Sequence, residues 1–309
     1  MNLQQLEYIV ALDEYRHFVT AAEKCFVTQP TLTMQLKRLE DEIGIQLFDR
    51  TRKPLIPTGE GEAFIARARR ILRDLNDLEN FLVEEKKSIE GVFRIGVIPT
   101  LAPYVLPLFL DRFSRENPKT YLKIEELKSE SIIKALHNDH LDLGIMATPA
   151  GEKDLKETLL FNEPFLFYGS YNHPFLKEER VDPDKLDRSS LLLLAEGHCF
   201  RDQALNICNE KGDEFVSMNF HYESGSVETL KRLVQSGLCY TLVPQLSVSD
   251  FESKNVKRFI SPEPVREVSL VSHISFNKTA LIDSIKAIIQ EELPGDISTP
   301  HEVKKIKWR

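Results

Sequence analysis

Two of the chain's four cysteines, Cys199 and Cys208, stand nine residues apart in the stretch Glu196-Gly197-His198-Cys199-Phe200-Arg201-Asp202-Gln203-Ala204-Leu205-Asn206-Ile207-Cys208. Phe200, Ala204, Ile207 and Cys208 recur at three- and four-residue spacing, which predicts a short helix between the thiols. Nine helical residues rise about 13.5 Å through about two and a half turns, so the sulfurs would lie far apart on opposite faces. A disulfide needs Cα atoms within about 7 Å. Bonding these thiols would require the helix to unwind first, which is how a sensor behaves. Cys199 opens the helix, with His198 beside it and Arg201 close by. A helix N-terminus or a cationic neighbour raises the thiolate fraction, and thiolate is the form that attacks peroxides. The alternative is that both cysteines simply fill core positions, and spacing alone leaves both readings open.

These residues need a scaffold, and the 309-residue length allows two or three domains with cores of their own. Four cysteines without paired framework spacing do not suggest a secreted disulfide scaffold. No signal peptide leads the sequence and no run reaches the ~20 apolar residues of a membrane span, so a cytoplasmic location without membrane association is expected. The net charge of −8 argues against a surface that is nucleic-acid binding throughout. Residues 16–58 carry seven basic against five acidic side chains, a weak footprint for DNA.

Residues 1–58 nevertheless read as three short helices and a wing. The first helix places Leu3, Leu6 and Val10 on one face, and the second, Thr20 to Cys25, carries the small pair Ala21 and Ala22. Thr28 can cap a third helix with Pro30 in its first turn, burying Leu32, Leu36, Leu39 and Ile43 and ending at Gly44. Pro30, Thr33, Met34, Lys37 and Arg38 then point outward, with Thr31 and Gln35 flanking the stripe; such side chains read base edges and phosphates. Residues 47–54 form a basic turn suited to a wing. From Phe64, the positions Phe64, Ala68, Ile71, Leu75, Leu78 and Leu82 alternate steps of four and three, which predicts a coiled-coil, dimerising linker helix over 59–90.

From Gly91 to about Leu293, strand and helix patterns alternate, an α/β arrangement with strands over 93–98, 122–127, 141–146, 190–194, 240–243 and 268–272. Thr100 should lie where the first strand hands over to a helix, the edge that faces the ligand crevice in open α/β sheets. The last residues, 294–309, carry Lys304, Lys305, Lys307 and Arg309 and are expected to be a flexible basic tail. His137 and His140 could suggest a metal, but a solvated helix end is the expected reading, and neither metal nor cofactor is expected. Cys25 and Cys239 are expected to be inert core thiols.

The chain resembles the LysR-type transcriptional regulators in Leu3, Leu6, Ala21-Ala22, Val27-Thr28-Gln29-Pro30-Thr31-Leu32, Lys37-Arg38-Leu39-Glu40, Leu47-Phe48-Asp49-Arg50 and Thr58-x-x-Gly61. The resemblance implies an α/β protein with an N-terminal winged helix-turn-helix, a long linker helix and a two-subdomain, periplasmic-binding-protein-like (type 2) effector module. The chain would cross twice between the subdomains, the first spanning about 91–162 and 269–293, the second 163–268. By position, Thr28, Gln29, Pro30, Thr31, Thr33 and Gln35 would contact DNA, with Arg50 and Arg52 on phosphates or in the minor groove. The implied partners are double-stranded promoter DNA and RNA polymerase, and the implied assembly is a homodimer pairing into a homotetramer.

Within that family the likeness is to the peroxide-sensing branch, through Ile98-Pro99-Thr100, Pro103-Tyr104, Gly197-His198-Cys199-x-Arg201-Asp202-Gln203-Ala204, Cys208 and Ser226-x-Glu228-Thr229-Leu230. The likeness implies hydrogen peroxide as the signal, Cys199 as the thiol it attacks, Cys208 as the resolving thiol and a disulfide between them. A thiol reductant of glutaredoxin or thioredoxin type would reverse it. Thr100, His198 and Asp202 would position peroxide or thiol, and Arg266 would favour the thiolate. Ser129 stands where a threonine is common, keeping the hydroxyl without the methyl. Two rivals remain: a regulator answering a small metabolite between the subdomains, and a thiol peroxidase, for which the winged helix would have no purpose; an enzyme is not the expected reading.

Overall fold

A computed structural model describes residues 1–81, 89–208, 225–237, 239–295, 297 and 302–308. The chain divides near residue 88 into two compact units, each with its own core. In the first unit, α1 (Leu3–Tyr15), α2 (Phe18–Lys24) and α3 (Gln29–Ile43) precede a two-stranded wing, β1 (Phe48–Asp49) and β2 (Ile56–Pro57), and the long α4 (Gly59–Phe81). Thr28 caps α3, accepting from the backbone of Thr31, and Gly44 ends it at φ +75°, where a side chain would be strained. Leu32, Leu36 and Leu39 enter the core beside Leu6, Ile9, Leu12, Ala21 and Ala22, as the three- and four-residue spacing requires.

The Thr58-x-x-Gly61 spacing has a steric cause. Thr58 Oγ1 donates to Gln46 O at 2.7 Å and accepts from Gly61 N at 2.9 Å. A Cβ at Gly61 would fall 2.0 Å from Leu47 O, so only glycine lets α4 start against the wing. The seven-residue stripe runs along one face of α4, and only its first turns are covered within this unit. Ala68 and Ile65 are buried in this unit's core and Arg69 forms a buried 2.7 Å ion pair with Asp13, so the first turns belong to the globule. Ile71 and Leu78, at 44% and 66% exposure, turn outward. Leu82 lies outside the described residues. The second helix begins at Phe18, earlier than the expected Thr20, with His17 at its N-cap.

The second unit is built on a nine-stranded mixed sheet. Its strands are β3 (Gly91–Val97), β4 (Thr120–Glu126), β5 (Leu143–Thr148), β6 (Leu155–Gly169), β7 (Leu191–Leu192), β8 (Tyr240–Pro244), β9 (Val256–Arg258), β10 (Glu263–His273) and β11 (Val303–Lys305). The helices are α5 (Ala102–Glu116), α6 (Ser129–His137), α7 (Cys199–Ile207), α8 (Val227–Gln235) and α9 (Thr279–Glu292). The strand order is β4-β3-β5-β10-β6-β8-β7, with β11 added to β10 and β9 to β6. Strands β6 and β10 pair antiparallel along most of their length and serve two cores. One core contains Ile95, Val97, Phe109, Ile145, Leu270 and Ile285, the other Phe165, Phe167, Leu230, Leu242 and Val243. The 15-residue β6 is absent from the sequence reading, because Glu163 and Pro164 interrupt its apolar run.

The C-terminal expectation is corrected. Val303–Lys305 pairs in parallel with Glu263–Val265, and Ile306 and Trp308 are buried. The strand residues are themselves exposed, and the basic composition conceals the two apolar residues after them, Ile306 and Trp308, which point inward on either side of exposed Lys307.

Candidate redox site and DNA-binding face

Cys199 is the first residue of α7, with His198 at the N-cap, and Cys208 is the C-cap. All four cysteines are free, and both of these are buried. They belong to different cores: Cys199 packs with the β3–β5–α5 side, Cys208 with the β6–β8–α8 side. A helix of this length with a thiol at each end has the separated arrangement that the spacing predicts.

The cation beside Cys199 is neither of its neighbours in sequence. Arg201 turns away and donates to Leu194 O at 3.0 Å. His198 is held neutral near pH 7, because burial and the positive charge of Lys128 both push its pKa down. Arg266, on β10, favours the thiolate instead. It is fully buried, donating from Nη1 to Thr100 Oγ1 at 2.9 Å and from Nη2 to Thr100 O at 3.1 Å. Its Nη2 also lies 2.6 Å from Glu163 Oε2, and its guanidinium sits 5.2 Å from the centre of the Phe200 ring. Glu163 is equally buried and accepts a further bond, from Leu246 N at 2.9 Å.

Burial raises the Cys199 pKa more than the Ser129 hydroxyl and Arg266 lower it, while nearby Asp202 adds to the rise. The resting thiol is therefore protonated at neutral pH. Ser129, the first residue of α6, lies against the thiol, yet its buried Oγ meets no partner at hydrogen-bonding geometry among the described residues. A buried hydroxyl left in this way costs free energy. Asp202 is half-buried, and desolvation raises its carboxyl pKa. Thr100 lies between β3 and α5, as predicted. The structure thus gathers Cys199, Ser129, Thr100, Arg266 and Asp202. His198 points instead to the backbone near Gly225, where a Cβ would lie 3.7 Å from its Nε2.

Sequence reasoning missed Glu163, the counter-ion of Arg266, and Lys128, whose Nζ donates to Glu196 O at 2.9 Å across the entrance to α7. A lone acid in the apolar run 161–169 is the signal that could have found Glu163, since such an acid needs a buried cation. At the other end of α7, Cys208 contacts the Tyr240 hydroxyl and has its pKa pushed up to about 12 by burial. Arg188 clasps this end, donating to Leu205 O at 2.7 Å and Cys208 O at 3.1 Å. Cys239 is likewise pushed up to about 11 by burial, and burial raises Cys25 as well, so acidity alone does not separate these two thiols from Cys199 and Cys208.

On α3, Thr28, Gln29 and Pro30 are exposed and Thr31 half-buried. Thr28 and Thr31 share a 2.8 Å hydroxyl pair, and Thr33 Oγ1 donates to Gln29 O at 2.9 Å. Gln35 is drawn inward, accepting from Gln5 Nε2 at 3.3 Å. Arg50 is tied at 2.5 Å to buried Glu40, whereas Arg52 is open to solvent beside Asp49. Arg50 therefore braces the wing as well as offering a charge.

Comparison with known proteins agrees with this architecture. Residues 3–62 match the bacterial regulatory helix-turn-helix proteins of the lysR family, and residues 86–294 match the LysR substrate binding domain. The chain is 34% identical, over 97% of its length and 99% of the relative's, to a hydrogen peroxide-inducible genes activator of Pectobacterium carotovorum subsp. carotovorum. It is 36% identical to the DNA-binding transcriptional dual regulator OxyR of Escherichia coli K12, over 88% of this chain and 89% of that one. Among solved structures, a variant of full-length OxyR from Pseudomonas aeruginosa superimposes with a TM-score of 0.83 at 33% identity, covering 94% of this chain and 98% of that one. An H2O2-bound OxyR mutant of Corynebacterium glutamicum gives 0.62 at 29% identity, covering 94% and 92%. With both halves matched and full-length relatives above 30% identity, the chain belongs to the LysR family of helix-turn-helix transcriptional regulators.

Proposed function

We propose that this regulator senses hydrogen peroxide through Cys199 and is switched by a reversible Cys199–Cys208 disulfide. The observation that carries this reading is the buried Cys199 thiol facing the Ser129 hydroxyl, which meets no partner at hydrogen-bonding geometry among the described residues, with Thr100 and Arg266 around it. A peroxide bound there would accept from and donate to these groups. Cys199 Sγ attacks one peroxide oxygen and the O–O bond breaks. The far oxygen leaves as water with the thiol proton, giving a sulfenic acid. Cys208 Sγ then attacks the Cys199 sulfur, the S–O bond breaks, and a second water leaves. Two thiols are oxidised and one peroxide is reduced.

Thr28, Gln29, Pro30, Thr31, Thr33, Gln35, Arg50 and Arg52 are the proposed contacts to promoter double helix. The outward Ile71 and Leu78 of α4 support a homodimer through that helix. Pairing of dimers into a tetramer, contact with RNA polymerase, reduction by a glutaredoxin- or thioredoxin-type protein and residence in the cytoplasm complete the proposal.

The test is mass-spectrometric mapping of cysteines after brief peroxide treatment. A 199–208 crosslink is expected, with Cys25 and Cys239 unmodified and peroxide-dependent transcription lost in Cys199→Ser. Oxidation at Cys25 or Cys239 in place of the pair, or a full response in Cys199→Ser, would overturn the reading and favour a regulator of metabolites.

The electrostatics give a pH dependence. Thiolate is the attacking form, and burial sets the Cys199 pKa above the ordinary thiol value. Alkylation of Cys199 by iodoacetamide should accordingly climb about tenfold per pH unit from pH ~6 to ~8.5 without levelling. A plateau near neutrality would mean that Arg266 outweighs burial.

A further inference from the structure

The C-terminal segment is bonded to the helix that joins the two thiols. Gln203 Nε2 donates to Ile306 O at 2.7 Å, and Asn206 Nδ2 donates to Lys307 O at 2.9 Å. The segment also reaches both cores: Ile306 packs in the core of Cys208, and Trp308 in the core of Cys199, its indole donating to Ala147 O at 3.2 Å. Upstream, β11 pairs with Glu263–Val265, immediately before Arg266.

Gln203 is fully buried, and its Oε1 has no partner among the described residues. The bond to Ile306 O is thus the only one found for its side-chain amide there. Residues 203 and 206 share a helix face because they are three apart, and they meet two successive carbonyls of an extended chain. That match holds only while α7 is helical. Bringing Cys199 and Cys208 within about 7 Å removes helical turns, so both bonds cannot persist.

We propose that residues 302–308 are a strap that holds α7 in its helical form and is released when the disulfide closes, with Gln203 and Asn206 as the positioning residues that set how fast Cys208 reaches Cys199. The proposal rests on the disulfide reading above, with hydrogen peroxide as the oxidant, and adds a route from α7 to both cores.

Trp308 is the chain's one tryptophan, so the emission of the full-length protein reports on the strap directly. Peroxide treatment should shift the emission to longer wavelength and raise acrylamide quenching several-fold in the wild type, with neither change in Cys208→Ser. The disulfide is followed in parallel by mass spectrometry. Absence of the disulfide counts against the parent reading, whereas a formed disulfide with unchanged emission and quenching overturns the strap. Asn206→Ala removes one bond from an exposed side chain. It should speed disulfide closure roughly three- to tenfold, the usual worth of one such bond, and leave sulfenic acid formation unchanged. An unchanged closure rate would overturn the positioning role.

Discussion

Arg266→Ala is expected to destabilise the second unit by about 3–5 kcal/mol, because it strands the Glu163 carboxylate in an interior that water does not reach. Thr100 loses the guanidinium bonds to its hydroxyl and carbonyl in the same step. Urea unfolding of the full-length protein, followed by Trp308 emission, measures the loss. A double substitution separates structure from chemistry. Arg266→Met with Glu163→Leu removes both charges and keeps the volume, which is often neutral or stabilising. It should recover most of the stability while Cys199 oxidation remains slow, since the cation that favours the thiolate is gone. Wild-type oxidation rates in the double variant would reduce the pair to a structural element.

Cys208→Ser should abolish the disulfide completely and leave the fold intact. Serine fits the same pocket and keeps a hydroxyl for Tyr240, so the stability change should stay within about 1.5 kcal/mol. Peroxide would then stop at sulfenic acid on Cys199, detectable by dimedone labelling, and the promoter response would be lost. A variant that still activates transcription would place the switch at the sulfenic acid and remove Cys208 from the mechanism.

Much of this was legible in the sequence because it is local. The cap at Thr28, the stripe Leu32–Leu36–Leu39 and the helix between the cysteines all depend on neighbours within a few turns. What was not legible is non-local. Nothing near Cys199 in sequence announces Arg266 as its cation, while of the adjacent candidates His198 is kept neutral by burial and Lys128, and Arg201 bonds to Leu194 O. Gln35 and Arg50 were read as DNA contacts from sequence position alone, and their partners Gln5 and Glu40, which come from other parts of the fold, could not be seen there. The tail misled for a related reason: its lysines dominate the composition, and the buried residues Ile306 and Trp308 near its end acquire a core only once β10 and α7 are in place.

The lodging of the two thiols in separate hydrophobic clusters bears on how the signal ends. A crosslink between them must pull side chains out of at least one cluster, so part of the free energy of oxidation is spent on repacking. Each 1.4 kcal/mol lost in this way raises the reduction potential by about 30 mV. Crosslinks that are buried and unstrained resist intracellular reductants, whereas this one would yield to them readily, and the reduced fold would return once the oxidant is gone.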